Sequence, residues 1–157
     1  SNIFKKHDHG SCYETAINAF EKHCCENSLK CTPLRRKVLE FLLKDHRPKG
    51  AYEILDLLRQ EGLSSKPPIA YRVLDFLIEQ RFAHKIQGLN AFVACAYSGD
   101  CHSPAFMICR KCDIVAEVED TQSGINLEKT SLAEFNIEEA SIEIKGVCNS
   151  CTSLEAT

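Results

Sequence analysis

An α+β fold of two small domains is what the sequence predicts: a helical unit closed by a β-hairpin, then a smaller α/β unit. Three observations carry that expectation. Apolar residues recur at helical spacing from Tyr13 to Ile78, the period shortens to two between Phe82 and Cys95, and two Cys-x-x-Cys pairs bracket short apolar runs toward the C-terminus. The 157 residues, 44% apolar and 26% charged, are ordinary for a globular chain of one or two domains and exclude disordered and collagen-like classes.

In the first element Tyr13, Ile17, Phe20 and Cys24 recur at steps of three and four, giving a helix with one buried stripe. Thr32 followed by Pro33 is an N-cap with proline at the first helical position, and Leu34, Val38, Leu39 and Leu42 supply the inward face of a second helix. Gly50 precedes a third, which carries Tyr52, Ile54, Leu55 and Leu58. Ser64 or Ser65 is placed to cap a fourth, whose start is set by Pro67-Pro68 and whose Tyr71, Leu74, Leu77 and Ile78 continue toward Arg81. Phe82, His84 and Ile86, then Ala91, Val93 and Cys95 beyond a Gly88-Leu89-Asn90 turn, alternate as a two-stranded hairpin. Helices followed by such a hairpin make a winged helix, an architecture that puts one helix in the major groove of DNA and the hairpin along the phosphates.

Residues 96–104 read as a loop, Phe106–Ile108 and Ile114–Val118 as apolar strands, Asn126–Phe135 as a helix, and the segment with Ile142 and Ile144 as a last strand. The expected division is therefore a winged-helix DNA-binding domain, 1–89, and a metal-binding dimerisation domain, 90–157, with the hinge at 88–91. At about 65 residues the second domain is marginal alone, so metal and dimerisation are the expected remedies.

A net charge of −3 hides an asymmetry: residues 1–90 hold 15 Lys and Arg against 11 Asp and Glu, whereas residues 91–157 hold 4 against 11. Opposite signs fit a first half that meets a polyanion, although chance scatter over solvated faces gives such counts too. No apolar run nears the roughly 18 residues that cross a bilayer, and the first residues lack the apolar stretch of a signal peptide, so a cytoplasmic protein is expected. A reducing compartment makes ten cysteines candidates for metal thiolates rather than disulfides. Cys12, Cys24, Cys25 and Cys31 are scattered along the helical N-terminal region and read as small apolar residues.

Cys109 with Cys112 and Cys148 with Cys151 form two C-x-x-C knuckles, each a tight turn that points both sulfurs at one ion. Four soft thiolates in a closed tetrahedron select Zn²⁺. The interval from Cys112 to Cys148 exceeds the usual zinc-ribbon spacing, so it must hold real structure whose ends the metal staples. The competing readings are a redox dithiol and unconnected core cysteines.

A second ligand set is spread more widely. His84 and Cys95 lie on opposite arms of the hairpin, His102 in the following loop and Glu117 on a strand after the first knuckle. Nitrogen, sulfur and oxygen ligands together suit Zn²⁺. Singly, each has a plainer reading: a surface wing residue, a buried apolar position, a loop histidine, a solvated strand charge. Cys101, adjacent to His102, is a rival ligand, and His7 and His9 read as tail histidines or part of an extra site.

The stretches Thr32-Pro33-Leu34-Arg35-Arg36, Ala51-Tyr52-Glu53-Ile54-Leu55 and Lys66-Pro67-Pro68-Ile69-Ala70-Tyr71-Arg72, with the ordered histidines, cysteines and Glu117, resemble the ferric uptake regulator family, and within it the zinc uptake regulator branch. The similarity runs from about Tyr13 to Cys151. It implies a homodimeric repressor of double-stranded operator DNA with zinc as co-repressor and two Zn²⁺ per subunit. The structural ion falls to Cys109, Cys112, Cys148 and Cys151, and the regulatory ion to His84, Cys95, His102 and Glu117. A cysteine at position 95 favours zinc over iron, which is the alternative within the family. Leu34, Ile69 and Arg81 stand where the family usually has Gln, Thr and Gly: the first two lack polar groups that could meet phosphates or bases, and Arg81 adds a positive charge near the end of the helix.

Lys66, Tyr71 and Arg72 on or beside the recognition helix, with Tyr52 in the helix before it, are the expected DNA contacts, although Tyr71 shares a helical face with Leu74 and Ile78 and also fits a core aromatic. Two rival classes stand beside this reading. A zinc hydrolase or deaminase needs a motif such as H-E-x-x-H, which is absent, so no enzyme activity is expected. A zinc buffer without DNA binding has no use for the basic first half or the Pro67-Pro68 helix start.

Overall fold

The computed structural model describes residues 9–45, 47–63, 66–97, 103–118, 135–136, 138 and 140–153. They fall into two compact units that divide between Asp100 and Cys101.

The first unit opens with α1 (His9–Glu26), which starts ahead of Tyr13 and buries Ile17, Phe20 and Cys24 as its spacing requires. Thr32 accepts a hydrogen bond from the Arg35 amide at 3.2 Å and starts α2 (Pro33–Leu43), whose Val38, Leu39, Phe41 and Leu42 are buried. Next come α3 (Ala51–Gln60), begun at Gly50, and α4 (Pro67–Glu79). The N-cap of α4 is Lys66, which offers no side-chain cap, and not the expected Ser64 or Ser65. The reason lies in the prolines: the residue before a proline is driven into extended backbone, and prolines at the first positions bring no N–H to be capped. Phe20, Leu39, Ile54, Leu58, Leu74, Leu77 and Phe82 form the centre of one apolar core, with Phe20 and Phe82 edge to face at 5.2 Å.

Three helices end the same way. Leu29, Leu63 and Phe82 each donate an N–H at 2.8 Å to the carbonyl of Cys24, Leu58 and Leu77 respectively, wrapping the chain over a left-handed residue. Those residues are Ser28 (φ 55°), Gly62 (φ 73°) and Arg81 (φ 63°).

Beyond Arg81 the chain forms the hairpin, β1 (Ala83–Ile86) paired antiparallel with β2 (Ala91–Ala94), so that His84 faces Val93. A 3₁₀ turn, Gln87–Leu89, and Asn90 at φ 47° join the arms. Lys49 extends the sheet by pairing with Phe92 in both directions, at 2.9 and 2.8 Å. Its buried ammonium is balanced by Asp45 at 2.8 Å. The Cys95 amide donates to the Phe82 carbonyl at 2.9 Å. The second arm and Cys95 are thus bonded into the first unit.

The second unit contains β3 (Ala105–Cys109), β4 (Val115–Val118), β5 (Ile142–Gly146) and a short α5 (Asn149–Ser153). The sheet order is β4-β3-β5, with β3 antiparallel to β4 and parallel to β5. Its buried side chains include Phe106, Ile108, Val115 and Val118. The helix expected at 126–135 lies outside the described residues except for Phe135. Among the described residues no helix is long and apolar enough to cross a membrane.

A left-handed backbone costs a side-chain-bearing residue about 1–2 kcal/mol, partly offset by the chain entropy that glycine loses on folding. Arg81→Gly is therefore expected to stabilise the first unit by roughly 0.5–1 kcal/mol, read as a higher urea midpoint with unchanged slope.

Candidate metal centre and nucleic-acid interface

Cys109 is the last residue of β3. The chain then reverses: Asp113, at φ 57°, donates its N–H to the Cys109 carbonyl at 2.9 Å, and the Cys109 amide donates to the Ile114 carbonyl at 3.0 Å. That turn carries Cys112 back beside Cys109. The parallel ladder sets Cys109 opposite Gly146, and the Arg110 amide bonds the Gly146 carbonyl at 2.9 Å, extending the pairing one step into the knuckle. Two residues later Cys148 arrives at the same place and starts the first turn of α5, with the amides of Cys151 and Thr152 on its carbonyl at 3.0 and 2.9 Å.

All four sulfurs lie within 4.8 Å of one another, and those of Cys112 and Cys148 are 3.8 Å apart. A regular tetrahedron with Zn–S bonds of about 2.3 Å has S···S edges of about 3.8 Å. The donor set and its size therefore fit a closed tetrathiolate zinc site, with Cys109 and Cys148 buried.

The protons of this cluster are unevenly held. The Cys148 amide donates to the Cys109 sulfur at 3.3 Å, and with help from the Cys112 and Lys111 amides it pulls the Cys109 thiol down to about 6. Cys151 is pushed up to about 12 by hydrogen bonding to Cys148 and Cys112 and by burial. At Cys112 the Ile114 amide favours the thiolate, but burial and the neighbouring thiols outweigh it and the thiol is raised.

In the first unit, a ring nitrogen of His84 and the sulfur of Cys95 lie within 4.8 Å of each other. His84 stands half-buried on β1, and the buried Cys95 follows β2. Glu117 is half-buried on β4 of the second unit, opposite Phe106. His102, Cys101 and His7 lie outside the described residues, as does the side chain of His9.

The expected DNA-contacting residues are all on the surface. Tyr52 is 69% and Tyr71 39% exposed, and Lys66 at the N-cap of α4 and Arg72 in its N-terminal half are exposed. Tyr71 is thus no core aromatic, whereas Leu74 on the same helix is fully buried. Of the three unusual residues, Ile69 joins this exposed surface at 40%, Leu34 packs against the core and Arg81 holds the left-handed position after α4. Lys49, which stitches the wing to the helices, carries no periodic signal that the sequence reading could use.

Fold and site together define a winged-helix protein with a second unit whose four clustered cysteines fit a tetrathiolate metal site. Residues 26–145 match the ferric uptake regulator family, and the chain belongs to that family. It is 36% identical over 142 residues to the zinc uptake regulation protein of Escherichia coli (strain K12), covering 87% of this chain and 81% of that protein. Among solved structures it is similar to a zinc uptake regulator complexed with zinc and DNA, at TM-score 0.84 and 32% identity over 92% of this chain and 98% of that one. It is also similar to holo XcZur, at TM-score 0.75 and 36% identity over 87% and 96% of the two chains.

Metal binding must displace whatever protons the four thiols hold. With the Cys109 thiol held low and the Cys151 thiol pushed high, loading the metal-free cluster at pH 7 is expected to release fewer than four protons, read by calorimetry in buffers of different ionisation enthalpy. Affinity then falls as pH is lowered, and more steeply below about 6, where Cys109 regains its proton.

Proposed function

We propose that this chain is a zinc-responsive transcriptional repressor, which binds palindromic operator DNA as a zinc-loaded homodimer and controls zinc uptake genes. It is a regulator, not an enzyme. Two Zn²⁺ per subunit serve it, a structural ion on Cys109, Cys112, Cys148 and Cys151 and a regulatory ion on His84, Cys95, His102 and Glu117. The kinship to zinc uptake regulators supports the class. The observation that carries the sensing role is the juxtaposition of His84 and Cys95 across the wing, a nitrogen and a sulfur within 4.8 Å. A buried thiolate in that pair favours zinc over iron.

Once bound, the regulatory ion supplies a bond between residues of the wing, the following loop and β4. The ligands therefore come from both sides of the unit boundary, and only one arrangement of the two units brings them together. In a homodimer that arrangement sets the separation of the two α4 helices, which must be about 34 Å to enter successive major grooves. Lys66, Tyr71 and Arg72 on α4 and Tyr52 on α3 meet the DNA.

Cys95→Ser is expected to retain one zinc per subunit yet lose the zinc dependence of operator binding, assayed by gel shift across a zinc titration; a wild-type response would remove Cys95 from the sensor. Arg72→Ala is expected to weaken operator binding at least tenfold at matched salt, with zinc content unchanged.

A further inference from the structure

Between Lys66 and Tyr71 the first turn of α4 has no hydrogen-bond donor to give. Pro67 and Pro68 lack an N–H, and the amides of Ile69 and Ala70 are both taken by the Lys66 carbonyl, at 3.0 and 3.3 Å. The four side chains are hydrocarbon. A helix start with free amides binds phosphate through them; this one presents only apolar surface. Ala70 is buried, Pro68 is exposed, and Ile69 is 40% exposed. Among the described residues Ile69 is the one aliphatic side chain of its size so exposed. Lys66 stands three positions before it and Arg72 three positions after, on neighbouring ground of the helix, and both are exposed. A lone exposed isoleucine elsewhere on a surface needs no explanation. This one interrupts the charged and aromatic surface that α4 turns to DNA.

We infer that Ile69 is a specificity-determining residue of the DNA contact and reads a thymine through its C5 methyl group. The inference rests on the proposed reading of α4 as the helix that enters the major groove. Of the four bases, thymine alone shows a hydrocarbon group in that groove; the other edges present donors and acceptors. Isoleucine cannot pair those groups, and covering them strips their water without replacing it. Preference for thymine therefore has two sources, the methyl group that Ile69 buries and the polar edge that any other base would leave unpaired. Burying one methyl group is worth about fourfold in affinity. The flanking cations hold the helix to the backbone or to guanine, and Ile69 adds a sequence preference that carries no charge.

The probe is a DNA duplex selected from a random pool by the zinc-loaded full-length protein. Each thymine is then replaced in turn, symmetrically in both half-sites, by deoxyuridine, which pairs with adenine in the same way but lacks the methyl group. Binding is titrated by fluorescence anisotropy at fixed salt. One symmetric pair of thymines is expected at which the replacement weakens wild-type binding about fourfold per half-site. In Ile69→Ser, an exposed change that removes every apolar carbon beyond Cβ, this penalty falls to background, while penalties at other thymines stay. Ile69→Val keeps a branched hydrocarbon and retains it. Such a double-mutant cycle cancels any effect of deoxyuridine on the duplex itself. A duplex indifferent to deoxyuridine at every thymine, or penalties that are the same in Ile69→Ser as in wild type, would overturn the inference and leave the regulator reading standing. Failure of the zinc-loaded protein to enrich any duplex from the pool would sink both.

Discussion

The second unit depends on one backbone contact, the parallel pairing of β3 with β5 and its continuation from the Arg110 amide to the Gly146 carbonyl. Without that register the two knuckles, far apart in sequence, have no reason to meet. With it, Cys109 and Cys148 are delivered to the same point from neighbouring strands, and the Cys148 amide is aimed at the Cys109 sulfur. The cage is thus assembled by main-chain hydrogen bonds, and the cysteine side chains inherit their positions. The ladder sets the sulfur spacing, and an ion held by the four thiolates would in turn resist the separation of strands too short to be stable alone.

A similar logic governs the wing. A two-stranded hairpin is marginal by itself, but this one is anchored at both ends. Cys95 bonds back to Phe82 at its base, and Lys49 pairs with Phe92 along its flank. The first anchor holds Cys95 near His84. Their juxtaposition is therefore a property of the wing's register, since a slip by one residue would put Cys95 on the opposite face.

Where local chemistry decides, the sequence was legible. Thr32-Pro33 announced α2, the apolar stripes announced the core, and the C-x-x-C pairs announced the cage. Where two signals competed or the partner was distant, it was not. Ser64 and Ser65 were plausible caps, but the steric demand of Pro67 on Lys66 outranked them. Short alternating runs marked β3 and β5 as strands without saying that they would pair, or in parallel. The lone rung between Lys49 and Phe92 has no period to detect.

Lys49 also gives the first unit an acid-labile seam. Burial disfavours the charge on Asp45, but the Lys49 ammonium and the Arg47 amide outweigh it and hold the carboxyl below its ordinary range. That depression means the contact is intact above the usual carboxylate titration and fails as acid neutralises Asp45, leaving a sequestered cation with its counter-charge gone. Acidification therefore loosens the attachment of the hairpin before it challenges the aromatic and aliphatic interior.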